Sequence, residues 1–219
     1  TVSGGTDINY SFTYVAANFM VLPKDATVVA DAKTKIYGEA NPPLTAVVSG
    51  TVNGDALNYT LLTPAVQLSD VGPYPITVSL GANPNYDVVT TDAVLTIGKA
   101  PSVTAVTING GPFTYSGAAV TPATVSVTGA GGLNLTPAAV YANNVNAGTA
   151  TASYSYAGDA NHEPSADSKD FGIGKASATI AVAGATVVYD GAAHGATGTA
   201  TGADGVTDLT ALLNLGDSF

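Results

Sequence analysis

The chain contains no cysteine and no tryptophan, and only one methionine, among its 219 residues. Without cysteine there are no disulfide staples, thiol nucleophiles or thiolate metal sites. Arginine is absent as well. The six basic residues are all lysines and face sixteen acidic ones, for a formal charge of -10 and a pI near 4.1. Nucleic-acid binders need clustered Lys and Arg to displace phosphate counterions, so neither nucleic acid nor anionic lipid is an expected partner. Charged residues of both signs make up 10% of the chain, well under the roughly 25% of an ordinary globular domain. No apolar run approaches the ~20 residues that cross a bilayer. Membrane insertion is not expected.

What is abundant is glycine, with 25 residues, and small apolar side chains within a hydrophobic share of 46%. The glycines and the 12 prolines follow no triplet period, which excludes a collagen-like chain. They punctuate runs rich in Val and Thr instead: Leu44–Ser49, Tyr74–Leu80, Asp87–Ile97, Thr121–Thr128 and Thr149–Tyr156. Apolar and polar residues alternate along these runs, the pattern of a half-buried strand. Helical spacing is nearly absent. Residues 53–58 allow one helical turn, and Asp208–Leu215 reads equally as a short helix or a strand.

The strongest signal is internal repetition. Tyr37-Gly38, Tyr115-Ser116-Gly117 and Tyr189-Asp190-Gly191 each open a β-rich run that ends in glycine, at spacings of 78 and 74. Lys24, Lys99 and Lys175 each follow an apolar stretch, at 75 and 76, and Asn9-Tyr10 recurs 76 residues on as Asn85-Tyr86. The frame is the closing strands of one module (1–23), two complete modules (24–99 and 100–175) and the opening half of another (176–219). The chain opens on Thr1 with no visible leader and reads as part of something longer. The expected fold is all-β: small β-sandwich modules, Ig-like, in tandem and end to end, with a β-grasp form as the alternative for the first.

Two stretches carry a family resemblance. The residues KIYGEANPPLTAVVSGTVNGDALNYTL and VGPYPITVSLGANPNYDVVTTDAVLTIGKA resemble the MBG domain of bacterial surface proteins and adhesins in its YGX form, over roughly residues 27–99. Tyr156–Ala176, with its YAGDAN opening and KA close, resembles a bacterial Ig-like repeat, and the VVYDG and DLTALLNLGDSF pieces look like the front of another. The resemblance implies a long extracellular protein that strings such modules into a stalk or filament. It brings no catalytic residue with it.

The residues themselves offer few sites. His162-Glu163 lacks the second histidine that a helical metalloprotease motif places four residues after the first, since Ala166 stands there. It reads as an exposed hairpin tip. His194 has no sequence partner, and two histidines without cysteine make no ordinary zinc site. The nearest approach to a Ca²⁺ site is the oxygen set of Asp159, Asn161 and Asp167, which lacks any established calcium-loop spacing and is equally explained by turn geometry. Asp204 and Asp208 lie in a glycine-rich loop, not across a cleft. No cofactor is expected, and the protein is not expected to be an enzyme. The repeating lysines read as solvated linker residues, with isopeptide chemistry as the alternative.

The expected function is a non-catalytic spacer segment of a cell-surface stalk or extracellular fibre, located outside the bacterial cell. Its first partners are neighbouring modules of the same or an identical chain. Two alternatives stand beside it. One is an adhesin module that binds a host or environmental glycan or protein. The other is a filament subunit in which strands 8–15 and 18–22 complete the opening half of a neighbour, with Phe12, Tyr14 and Phe19 packing on Val187 and Tyr189. Excision from a longer chain is the simpler account of those half modules.

Overall fold

The computed structural model describes residues 4–184, 186–215 and 217–218. The chain is all-β, with 45% of it in strands, and the helical turns among the described residues are of 3₁₀ type. It divides into two compact units. The first holds the described residues through Lys35 together with 39–97, and the second holds 36–38 and the described residues from Gly98 onward. Residues 176–215 thus fall within the second unit.

The first unit builds two sheets from β1 (Lys24–Ala30), β2 (Lys33–Ile36), β3 (Ala46–Ser49), β4 (Tyr59–Leu62), β5 (Gly72–Leu80), β6 (Tyr86–Thr91) and β7 (Ala93–Gly98). One sheet runs β3-β1-β6 and the other β2-β7-β5-β4. In the first sheet β1 is central, antiparallel to β3 and parallel to β6. Its alternate residues Ala26, Val28 and Ala30 are buried. Ala26 and Val28 pack with Leu57 against Val48, Tyr59, Val78, Tyr86 and Val88, which joins the two sheets face to face. This is a sandwich. A β-grasp needs a helix laid across its sheet, and residues 24–99 contain none, so that alternative is set aside.

The run 87–97, which reads as one strand in sequence, is two. Asp92 interrupts it between β6 and β7, and its carboxylate accepts the Val78 N–H at 2.8 Å. The break lets the chain leave one sheet and enter the other. Residues 53–58 form a turn, not a helix, with Asn53 at φ 55° and Gly54 at φ 77°.

The second unit repeats the plan with β8 (Ser102–Ile108), β9 (Phe113–Thr114), β10 (Ala123–Gly129), β11 (Asn134–Leu135), β12 (Val140–Ala142), β13 (Gly148–Tyr156) and β14 (Ser165–Gly174). The sheets run β11-β10-β8 and β12-β13-β14-β9. Val106 and Val125 from one pack on Ala150, Ala152, Phe171 and Ile173 from the other. Phe113 and Tyr141 meet the Phe171 ring edge-on, at centroid distances of 5.6 and 6.3 Å. Beyond these in sequence lie two two-stranded sheets: β15 (Thr179–Ala183) with β17 (Thr197–Thr201), and β16 (His194–Gly195) with β18 (Asp217–Ser218). Within Asp208–Leu215, Asp208 bridges antiparallel to Thr201 and Thr210–Leu212 form a 3₁₀ turn.

Candidate functional site

The sequence landmarks turn out to be hydrogen-bonded contacts. The Tyr37 N–H donates to the Gly98 carbonyl and the Tyr115 N–H to the Gly174 carbonyl, each at 2.9 Å. These bonds tie the opening of a repeat to the last residue of its closing strand. The Lys24 N–H donates to the Asn85 carbonyl and the Ala100 N–H to the Asn161 carbonyl, again at 2.9 Å. The second pair shows that Asn161-His162 is the next occurrence of the Asn85-Tyr86 landmark, with histidine in the place of tyrosine.

This equivalence corrects the reading of His162 as an exposed tip. Its side chain is buried, at 5% exposure. Nδ1 faces the Asp159 carboxylate at 2.9 and 3.0 Å, and Nε2 meets the Ala130 carbonyl oxygen at 2.9 Å. The Tyr37 ring, which belongs to the same unit, packs edge-on against the imidazole at 5.4 Å. Tyr86 fills the matching place in the first unit. Its hydroxyl donates to Asp55 at 2.6 Å and accepts the Val52 N–H at 3.1 Å. In both units the ring reaches the loop that follows the same strand of the repeat, Val52 and Asp55 after β3 and Ala130 after β10. The recurrence of the Asn-aromatic pair at 76 residues was the available signal, and histidine in place of tyrosine hid it.

Asp159, the leading calcium candidate, spends its oxygens on the chain itself. It accepts from the Tyr156 hydroxyl at 2.8 Å, from the N–H groups of Asn161 and His162 at 2.8 and 2.7 Å, and from the His162 ring. The Tyr156 hydroxyl is the main reason its carboxyl sits well below the usual carboxylate range, with the neighbouring N–H groups adding and burial opposing. Tyr156 shifts the opposite way, pushed up first by burial and then by Asp159. Asp167 likewise accepts the Val106 and Ser168 N–H groups at 2.8 and 2.9 Å, which lowers its pKa. Asn161 gives its carbonyl to Ala100. Among the described residues, no three His, Asp or Glu side chains are grouped to hold a metal ion. Asp159 and Asn161 share a turn, whereas Asp167 lies in β14 and reaches across to β8.

The other acidic residues follow the same logic. Asp204 caps a turn by accepting the Val206 and Thr207 N–H groups and the Thr207 hydroxyl, which draws its pKa down to about 2. Asp208 is also lowered, first by the Thr210 side chain and then by the Thr210 N–H, which it accepts at 2.9 Å. Neither carboxyl has the raised pKa that a general acid requires. His194 does have a partner, the Asp190 carboxylate at 2.8 Å.

Two lysines bond to backbone carbonyls through their amines, Lys99 from an exposed position. Lys99 bonds through Nζ to the Asp159 carbonyl. Lys35, which sequence reading overlooked, is buried in the first unit and donates to the carbonyls of Glu39, Val66 and Gln67 at 3.0, 2.8 and 3.2 Å. Its three bonds all go to backbone oxygens. A lysine in a four-residue strand next to Tyr37 gives no sequence sign that its amine turns inward.

With Tyr37-Gly38 pinned to the closing strand, the YG opening is joined to its LTI close. Residues 26–96 match the family model of the MBG domain, YGX type. The match spans β1 to most of β7, so the whole sandwich of the first unit is the MBG-like element. No curated protein matches the chain. No helix among the described residues is long and apolar enough to cross a membrane.

The residues of the expected interchain packing are exposed. Phe12, Tyr14 and Phe19 lie in the irregular segment before β1, and Val187 and Tyr189 lie between β15 and β16.

Proposed function

We propose that the chain is a non-catalytic structural segment of a bacterial cell-surface stalk or extracellular fibre, in which the repeats act as stiff spacers. The MBG match supports the surface-protein setting. The observation that carries the spacer reading is the connection Lys99-Ala100-Pro101 between β7 and β8. Ala100 is buried, donates to the Asn161 carbonyl and accepts the Glu163 N–H, both at 2.9 Å. Lys99 adds its bond to Asp159, and Pro101 fixes its own φ. A three-residue connection is short beside the glycine- or serine-rich linkers that behave as flexible coils. Spin labels placed through Ser79→Cys and Ser168→Cys, both exposed and in a cysteine-free background, should give one narrow distance distribution. Replacing Lys99-Ala100-Pro101 with three glycines should broaden it. A broad distribution in the unmodified connection would refute the spacer reading.

A further inference from the structure

The connection from β3 to β4 turns sharply at Val52-Asn53-Gly54-Asp55, where the Asp55 N–H donates to the Val52 carbonyl at 3.0 Å. Its two central residues have positive φ, 55° for Asn53 and 77° for Gly54. That is the sign pattern of a type I′ turn, which favours asparagine followed by glycine because both tolerate left-handed backbone. The same dipeptide carries a chemical cost. Asparagine is a labile residue, and most so before glycine, whose missing Cβ leaves its amide nitrogen open to approach.

The chain has two such pairs, Asn53-Gly54 and Asn109-Gly110, and all four residues are exposed. What separates them is the side-chain amide. Asn109 Nδ2 lies within hydrogen-bond reach of three oxygens: the Pro122 carbonyl at 3.0 Å, the Thr124 hydroxyl at 3.1 Å and the Thr107 carbonyl at 3.4 Å. Among the described residues, nothing bonds the Asn53 side chain or the Gly54 N–H. The Asn53 carboxamide is free to turn onto the nitrogen that follows it, and the Asn109 carboxamide is held.

We propose that Asn53 is a site of spontaneous deamidation, and that its isoaspartate product loosens the hold of this turn on Tyr86. The Gly54 nitrogen gives up its proton to solvent and bonds to Cγ of Asn53. The bond from Cγ to Nδ2 breaks, and ammonia departs with a proton taken from water. Water then opens the cyclic imide. Where it attacks the backbone carbonyl carbon, the chain afterwards runs through Cβ and Cγ, and the old backbone carbonyl becomes a carboxylate branch. The sum is an amide and a water giving a carboxylate and an ammonium, with no oxidation or reduction. The position matters because the two ends of the turn grip one hydroxyl. Tyr86 Oη accepts the Val52 N–H at 3.1 Å and donates to Asp55 at 2.6 Å. An extra backbone carbon between those ends, with a second carboxylate beside Asp55, pulls Val52 and Asp55 off that hydroxyl. Tyr86 opens β6, the parallel partner of β1, so the loss falls on the first unit. It is independent of the spacer reading, which stands or falls on the stiffness of residues 99–101.

The test is to age the full chain in mildly alkaline buffer and follow both pairs by peptide mapping and mass spectrometry. An isoaspartate-specific methyltransferase serves as the probe of the product. The Asn53 peptide should convert at least about tenfold faster than the Asn109 peptide, because Asn109 must first give up its hydrogen bonds. In urea the two pairs should convert at similar rates, which assigns the difference to the fold. Hydrogen exchange at the Val52 amide should be about tenfold faster in the aged chain than in the fresh one, as loss of its bond to Tyr86 requires. Asn53→Gln closes a less favourable ring, so this variant should stay unconverted at position 53 and keep its Val52 protection over the same period. Three results would each overturn the proposal. The first is equal conversion of Asn53 and Asn109 in the folded chain. The second is a difference between them that persists undiminished in urea. The third is an aged chain that carries isoaspartate at position 53 and still protects the Val52 amide.

Discussion

Tyr86 and His162 do the same work with different chemistry, and that difference sets how each unit answers to substitution. Tyr86 reaches a carboxylate and a backbone N–H through one hydroxyl, while His162 spans a carboxylate and a carbonyl through two ring nitrogens. Removing a buried ring together with its hydrogen bonds adds a cavity to the loss of bonding. His162→Ala should therefore destabilise the second unit by about 2–3 kcal/mol, as read by chemical denaturation, and leave the first unit unchanged. Lys35 gives the converse case. Lys35→Met keeps the length of the side chain but strands the three carbonyls of Glu39, Val66 and Gln67. Bonds from a charged donor are worth more than neutral ones, so the cost to the first unit should be about 2–3 kcal/mol.

Proton linkage at these residues has a definite sign. Asp159, Asp167, Asp190, Asp204 and Asp208 all have folded-state pKa values below their ordinary ones. Their stabilisation is complete above the unfolded carboxylate range, about pH 4, and is lost as pH falls through the folded values. Tyr86 and Tyr156 are raised, by the bond to Asp55 and by burial respectively. Their contribution is complete below about pH 10 and is lost as pH rises further. Melting temperature against pH should be flat between about 5 and 9 and fall on both sides. Asp159→Asn should flatten the acid limb of the second unit, and Tyr156→Phe its alkaline limb. Unchanged limbs in both variants would show that these groups do not govern the pH response.

At the scale of the elements, the strands and the repeat period are legible because alternation and turn residues are local signals. The Val and Thr runs of β3, β5, β10 and β13 fall where period-two patterning places them. Pairing is harder to read. The parallel contact of β1 with β6 joins strands some sixty residues apart, and nothing in either strand announces its partner. The switch at Asp92 depends on the side chain capping Val78 across the sheet edge. The inward turn of Lys35 and the burial of His162 depend on carbonyls and carboxylates that long-range folding delivers. One glycine tests the His162 loop without touching a side-chain bond. Gly158 has φ +82°, and a Cβ there would stand 2.7 Å from the His162 carbonyl oxygen. Gly158→Ala should cost more than the ~1 kcal/mol of a left-handed alanine alone and weaken the Asp159–His162 contact, visible as altered chemical shifts of the His162 ring.

On the scale of the whole molecule, each sandwich has its own apolar centre. Val28, Ile76, Leu95 and Ile97 are the large buried side chains of the first unit, and Val106, Val125, Phe171 and Ile173 gather in the second. Among the described residues, the sheets of one sandwich take no strand from the other. Units of this size lie near the lower limit for unaided folding, so each core carries most of its own stability and neither has much to lend. Unfolding should then proceed in separable steps, and a core substitution should act on one step alone. Val28→Ala removes two buried methyl groups from β1 and should cost about 2 kcal/mol, while Phe171→Ala should cost about 3–4 kcal/mol. In scanning calorimetry Val28→Ala should move one transition and Phe171→Ala the other, with the double variant moving each by the shift of its own single variant. A single transition displaced by either substitution would mean that the chain folds as one cooperative block, and that the two sandwiches are coupled far more tightly than separate cores require.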